Sequence, residues 1–506
     1  MNRTRSAFIG AISSQVFTIV AILINLVTTP FILHHLNSSI YGLSIIIFQI
    51  TTYLGMFDFG LTAGVERFLA GTRGDSEEEK GKIQQIISTS FVVYALMGLL
   101  VVVVGSIFAP FVGDFFKVPV NFSDDVQTIV VVLSILVGLQ FLLRAVSGIF
   151  FAHQRQFLSN TLSFILNISN IIFTVFFVYL GYELWSFVYA QILVFLFNTM
   201  LTLFFFRKHY GYIKFKIADF QMSLLKDMFS YGFYLFIIGI AVQIVFQTDR
   251  VIIGSIVSLS AVSIYALTSK LPEMASQLIW KITDNSFPGM VELSKQTETS
   301  PFLIVHNKLM KLTISLSTSA FWIICAITAP FITLWVGKDY FAGQNFIFMI
   351  SYLYLIQLTF IHVSSMCLNG AGIARQLSLM SILEAVINLG LSIYLAKTMG
   401  LIGVLIGTIS AGLLTSFWYV PYLTSKFMKI SVKSYIFSLL KPILFCSVFD
   451  GVVYVLFRGF FTKINNWIEF VLYSGIFSLL ILIPLVWYNK DMLNDIRQKL
   501  IRKSAA

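Results

Sequence analysis

The chain has 506 residues, of which 58% are hydrophobic and 11% charged, with 51 phenylalanines and a formal net charge of +11. Ordinary soluble domains carry roughly a quarter charged residues, so this composition excludes a soluble catalytic domain as the bulk of the chain. Lipid is the solvent, and spanning segments must satisfy their own backbone hydrogen bonds. Apolar runs of about twenty residues or more then fit helices, not the alternating strands of roughly ten residues that build a membrane barrel.

The first run, from about Ala7 to Leu36, follows Arg3 and Arg5. It exceeds the roughly 7 to 15 apolar residues of a signal-peptide core, which predicts an uncleaved first helix. Further runs centre near Ile47, Val101, Leu136, Ile171, Phe195, Ile240, Gln277, Ala320, Leu355, Leu389, Leu413, Val448 and Leu479, giving fourteen in all. The expected fold is an all-α polytopic membrane protein. Its expected parts are an N-lobe at 1–215, a C-lobe at 216–430, and residues 431–506 holding the last two helices and a basic tail.

With the N-terminus in the cytoplasm, only Lys117, Lys338, Lys397, Arg458 and Lys463 fall in exterior loops, and Arg144, Arg250, Lys270, Lys281 and Lys441 lie within runs. The other twenty-four of the 34 Lys and Arg are cytoplasmic. The positive-inside rule therefore places both termini in the cytoplasm. It also assigns the net positive charge to topology, not to nucleic acid. Cys325, Cys367 and Cys446 all sit in apolar runs without a Cys-x-x-Cys pair, so neither a disulfide framework nor a metal site is expected. No phosphate-binding loop and no His-Glu-x-x-His occurs, and no cofactor is expected.

A weak repeat divides the chain. Ile40-Tyr41-Gly42 at the start of run two recurs as Ile264-Tyr265-Ala266 at run eight, and Gln154-Arg155-Gln156 resembles Ala374-Arg375-Gln376. Six runs separate the equivalents, so the repeats share one topology.

Ionisable side chains near a bilayer centre are costly and normally face a cavity or a partner. In run eight, Lys270, Glu273, Gln277, Lys281 and Asp284 follow steps of three, four, four and three and share one helical face. Pro272 removes a backbone donor and permits a kink. This stripe reads as cavity lining; the competing reading is intrahelical pairing of Lys270 with Glu273 and of Lys281 with Asp284. Run five carries Asn160, Ser163, Asn167, Asn170 and Thr174 on one face, and run eleven carries Ser381, Glu384, Asn388 and Ser392. Such amides suit sugar hydroxyls as a stripe, whereas any single Asn is better explained by helix-helix hydrogen bonding. Arg144, near the cytoplasmic end of run four, is placed to snorkel. Asp249 and Arg250, being adjacent, point in different directions. Asp58 and the Lys441/Asp450 pair are further candidates. Gly60-x-x-x-Gly64 and Gly403-x-x-x-Gly407 are close-packing signals.

The sequence resembles the polysaccharide-lipid (O-antigen-type) flippases of the multidrug/oligosaccharidyl-lipid/polysaccharide exporter superfamily. The residues that carry this are Tyr41-Gly42, then Asp58-Phe-Gly60-Leu61-Thr-Ala63-Gly-Val-Glu-Arg67, then Ala152-His-Gln-Arg155 with Asn160, and Thr248-Asp249-Arg250 with Gly254 and Tyr265. The resemblance implies two six-helix lobes in a V, alternating access, and export of a polyprenyl-diphosphate-linked oligosaccharide across the bacterial cytoplasmic membrane. Membrane lipid is then a partner, with a polysaccharide polymerase and chain-length machinery acting on the product. The anionic diphosphate would draw on Lys270, Lys281, Arg144 and Arg250, while Asn160, Asn167, Asn170, Gln277 and Asn388 meet the glycan. Asp58, Asp249, Glu273, Asp284 and Glu384 remain for ion pairing or coupling.

The alternative on the same fold is a cation-coupled multidrug or small-solute antiporter. Drug exporters of the superfamily commonly place an acid in the first helix, and run one has none. A membrane glycosyltransferase or polymerase would need a sizeable exterior loop, and no loop here is long.

Overall fold

The computed structural model describes residues 3–70, 72, 76–152, 156–284, 286–294 and 300–491. The motif residues 153–155, residues 71 and 73–75 before α4 and the basic tail from 492 onward lie outside them. By internal contacts the chain forms two compact units: Met1–Gln243 with Ile253–Ser263, and Ile244–Ile252 with Ile264–Ala506. Among the described residues there are helices and no strands.

The first unit contains α1 (Arg3–His35), α2 (Ser38–Gly55), α3 (Leu61–Ala70), α4 (Glu77–Phe115), α5 (Val120–Ala152), α6 (Gln156–Tyr179) and α7 (Trp185–Tyr210). It also holds most of α8 (Met222–Ile252) and the start of α9 (Leu259–Thr268). Asn37 caps α2 by accepting from the Ile40 amide at 2.8 Å, and Ser76 caps α4 by accepting from Glu79 at 3.2 Å. Between α2 and α3 the chain breaks at Phe59 and Gly60, whose φ values are 49° and 81°. Only glycine takes that conformation without strain, and a Cβ on Gly60 would collide with the Gly232 carbonyl of α8. Gly64 meets the Met228 backbone in the same way, so the Gly60/Gly64 signal is a helix-helix contact. The central α4–α5 pair closes through Gly98 against Gly138. Gln84, Ser88 and Thr89 of α4 fix the following linker by bonds to Asp219 and to the Lys214, Lys216 and Gln221 amides.

The second unit holds the rest of α9, α10 (Lys270–Asp284), α11 (Phe287–Ser294), α12 (Ser300–Trp335), α13 (Gln344–Ser351), α14 (Leu358–Gly370), α15 (Ala374–Leu414), α16 (Ser416–Phe427), α17 (Val432–Phe461) and α18 (Trp467–Tyr488). Helix α12 is its axis and packs against α10, α14, α17 and α18. Helix α15 reverses at Gly400 (φ 60°, ψ −136°) into a hairpin. Its limbs touch where Gly403 faces the Leu395 carbonyl and Gly407 faces Ser392, so the second glycine motif closes a hairpin. Single π-turns occupy Ile253–Val257 and Tyr352–Gln357.

Eleven described stretches are long and apolar enough to cross a membrane, which makes the protein multi-pass. One of them, the 53-residue stretch Arg375–Phe427, doubles back at Gly400 and so holds runs eleven and twelve as its two limbs. Runs seven and eight are the two that no single straight apolar helix spans. Run seven bends by 48° between Gly239–Val245 and Gln247–Val257. Run eight divides at Ser269 into apolar α9 and polar, 15-residue α10. Pro272 lacks the amide that would bond the Thr268 carbonyl one turn back.

Candidate functional site

The last turn of α8 sends its two adjacent charges apart, as roughly 100° per residue requires. Asp249 is 2% exposed and turns toward α9 and α15. Its carboxylate accepts from Tyr265 Oη at 3.0 Å and from Thr408 Oγ1 at 2.9 Å. Asn388 Nδ2 in turn donates to Thr408 Oγ1 at 2.9 Å. A buried carboxylate is tolerated only when bonded or paired. Here neutral donors hold it, and Asn388 Oδ1 has no partner among the described residues. The result is a small oxygen-rich centre of carboxylate, hydroxyl and amide carbonyl.

Arg250 takes the other direction. Its Nη2 donates to Glu273 Oε1 of α10 at 2.8 Å and its Nη1 to Gln247 Oε1 at 3.1 Å, while Tyr354 Oη donates to the same Glu273 oxygen at 3.1 Å. The π-turn Tyr352–Gln357 carries Tyr354, and such turns recur at functional sites.

Along α10 the stripe runs from half-buried Lys270 and Glu273, through exposed Gln277 and half-buried Lys281, to exposed Asp284. Glu273 pairs with Arg250 and not with its helical neighbour Lys270. Asp284 lies 2.8 Å from His362 Nε2. The His362 ring stacks on Trp280 at 4.6 Å between centroids, and Trp280 Nε1 donates to Thr359. Lys270 makes no hydrogen bond or ion pair with a described residue.

In the first unit, Asp58 sits at the α2–α3 break. Its Oδ1 accepts from the Gly60 amide at 3.0 Å and its Oδ2 from Thr62 at 2.7 Å; Thr62 also bonds Tyr94 Oη at 2.9 Å. Arg144 does not snorkel outward. It lies 3.4 Å from Asp58, donates to the Gly55 carbonyl at 3.0 Å and covers the Phe141 ring at 4.4 Å.

The two asparagine stripes part company. On α6, Asn160 and Asn170 are half-buried, Ser163 and Asn167 exposed and Thr174 buried. On α15, Glu384, Asn388 and Ser392 are all buried. Glu384 accepts from Ser416, and Ser392 donates to the Val404 carbonyl at 3.2 Å. That face is consumed by the hairpin and by α16. Asp450 bonds Ser319 and is buried, whereas Lys441 on the same helix is exposed, so these two do not pair.

Sequence reasoning passed over Thr408, Tyr354, His362 and Tyr94, and gave Thr62, inside the Asp58 motif, no role of its own. A single Thr or Tyr within an apolar run carries no periodic signal; only Tyr265, inside the repeated Ile-Tyr pair, was marked. Among the described residues no group of three or more His, Cys, Asp or Glu side chains is arranged to hold a metal ion.

Residues 8–294 match the family described as polysaccharide biosynthesis protein. The chain belongs to this family. That places the resemblance read from the Asp58 and Asp249 motifs at the level of the family. The chain is also 21% identical, over 335 residues, to an uncharacterized membrane protein, EpsK, of Bacillus subtilis (strain 168), a match covering 66% of either protein. Solved structures share its fold, two of them as follows. A multidrug resistance MATE family transporter of the MOP superfamily, inward-facing, is 16% identical with a TM-score of 0.66, covering 83% of this chain and 99% of that one. The lipid II flippase MurJ, inward closed, is 16% identical with a TM-score of 0.64, covering 97% of this chain and 99% of that one.

Proposed function

We propose that this member of the polysaccharide biosynthesis family is a transporter that flips a polyprenyl-diphosphate-linked oligosaccharide across the bacterial cytoplasmic membrane by alternating access, with both termini cytoplasmic. The observation that carries the reading is Lys270, a half-buried cation on a polar helix face with no ion-pair partner among the described residues. Arg250, Glu273 and Lys270 together carry one net positive charge, with Glu273 attracting and Arg250 repelling the Lys270 ammonium, so the cluster offers its excess charge to an anion. A net positive cluster on a half-buried helix face is a standing cost that an anionic ligand relieves. A diphosphate carried on a lipid is such a ligand.

In this reading Lys281 and Gln277 extend the binding face along α10 of the second unit; within the first unit, the Asn160, Asn167 and Asn170 stripe of α6 is the candidate for sugar hydroxyls. Arg250–Glu273 and Arg144–Asp58 are structural pairs. Glu384 and Asn388 support the α15 hairpin, and Asn388 also orients Thr408 toward Asp249. The oxygen centre at Asp249 is the coupling site for a cation or proton, because its acid is buried and forms no ion pair among the described residues. The flipped repeat unit then meets the polymerase and chain-length machinery outside.

The fold shared with a multidrug transporter supports a second reading, cation-coupled drug or solute export. Against it stand the family match and the lack of any acidic residue in α1. Loss of the gene product decides between them. A flippase leaves lipid-linked glycan trapped in the inner leaflet with drug resistance unchanged; an exporter does the reverse.

A further inference from the structure

The terminal pair α17 and α18 is held to α12 by polar groups that the transport proposal leaves unused. On α12, Ser315, Ser319 and Trp322 recur at steps of four and three and share a face; on α17, Cys446, Asp450 and Tyr454 recur at steps of four. Asn489, just past the end of α18, donates through Nδ2 to Ser315 Oγ at 2.9 Å. Ser319 Oγ donates to Asp450 Oδ2 at 3.1 Å. Towards the end of α17, Gln344 Nε2 donates to the Cys325 carbonyl at 2.8 Å and to Tyr454 Oη at 3.3 Å.

Asp450 is 0% exposed. Its Oδ1 has no hydrogen-bond partner among the described residues, and neither has Trp322 Nε1. The polar and ionisable groups around it come from each neighbouring element. On its own helix Cys446 lies one turn before, Tyr454 one turn after and Arg458 two turns after. Helix α12 contributes Ser319, Trp322 and Cys325, α13 contributes Gln344, and α18 packs on the seam with Tyr473, Phe477 and Ile481 and buries Ser474 Oγ. No described Lys, Arg or His forms an ion pair with Asp450.

Among the described residues, an ionised carboxylate in this seam has one neutral donor and no ion-pair partner, and burial shields it from solvent. Protonation removes the charge and converts one oxygen into a donor. Proton relays in membrane carriers are built from such intramembrane acids. We propose that Asp450 is a proton-binding site, distinct from Asp249, at which one carboxylate oxygen takes a proton from the aqueous phase and returns it there. The neutral acid is the form that docks α17 against α12, and releasing the proton loosens that contact. The proposal rests on none of the transport reading.

Infrared difference spectroscopy of the full chain in lipid nanodiscs tests it, comparing wild type with Asp450→Asn at neutral pH. A protonated-carboxyl C=O stretch assigned to Asp450 is expected, and it shifts on transfer to D2O. Ser319→Ala removes the donor to that group and is expected to move the band to higher frequency. Carboxylate bands alone at neutral pH overturn the proposal, as does a carboxyl band that ignores Ser319→Ala or never exchanges. Asp249→Asn, which leaves the band in place, assigns it to the terminal pair. Ser319→Ala keeps the acid and decides the matter alone where Asp450→Asn fails to fold.

Discussion

Arg250 and Glu273 meet at 2.8 Å across α8 and α10, with Tyr354 donating to the same Glu273 oxygen. Both side chains are largely buried, at 20% and 16% exposure. Removing one partner of such a pair costs about 3–5 kcal/mol because the other charge stays behind. Arg250→Ala and Glu273→Ala are each expected to lower the melting temperature of the detergent-solubilised protein clearly. The exchanged pair, Arg250→Glu with Glu273→Arg, is expected to recover a substantial part of that loss. Failure of the exchange to recover any stability would place the effect elsewhere.

The stripe on α10 was legible because a period of 3.6 in polar residues stands out against an apolar background. What each charge binds was not. Lys270 lies three residues from Glu273, the spacing of a helical ion pair, yet Glu273 bonds a guanidinium 23 residues away because the turn at Ser269 carries α10 toward the end of α8. The asparagine stripes show the same gap. Asn167 and Asn388 sit in similar patterns, but only Asn388 faces a helix bearing Gly403 and Gly407, which lets the hairpin close over it. Pattern identifies a face, and tertiary packing decides whether that face is lined or filled.

Asp249 is held by the hydroxyls of Tyr265 and Thr408 and forms no ion pair among the described residues. Asp249→Asn keeps the acceptor oxygen and is expected to insert and fold, while export falls at least about tenfold, the size of one lost interaction of roughly 1.4 kcal/mol. Thr408→Val is expected to weaken export in the same direction. Export measured against imposed sodium and proton gradients checks this. Wild type responds to one of them and Asp249→Asn to neither.

Gly60 has φ 81° and faces the Gly232 carbonyl, whereas Gly390 on α15 has open space where a Cβ would go. Gly60→Ala combines left-handed strain with a backbone clash and is expected to destabilise by about 2–3 kcal/mol. Gly390→Ala is expected to be neutral or slightly stabilising, since alanine is the better helix former. Thermal unfolding of the two variants side by side separates backbone constraint from a general effect of changing glycine.

The charge asymmetry of the loops predicts topology. With Cys325, Cys367 and Cys446 replaced, a cysteine at Asp339 is expected to label with an impermeant reagent on intact cells, and one at Lys429 only after permeabilisation. The reverse pattern would invert the proposed orientation.

The central claim is that the chain moves a lipid-linked, diphosphate-bearing glycan and that Lys270 binds its charged group. The direct measurement reconstitutes the purified protein in liposomes loaded with a polyprenyl-diphosphate oligosaccharide and follows which leaflet the glycan occupies. Wild type is expected to redistribute the lipid between leaflets, Lys270→Arg to retain most of that rate, and folded Lys270→Ala to lose at least about tenfold, one interaction of roughly 1.4 kcal/mol. No redistribution by wild type would contradict transport of this substrate, and full activity in Lys270→Ala would contradict the assigned binding residue.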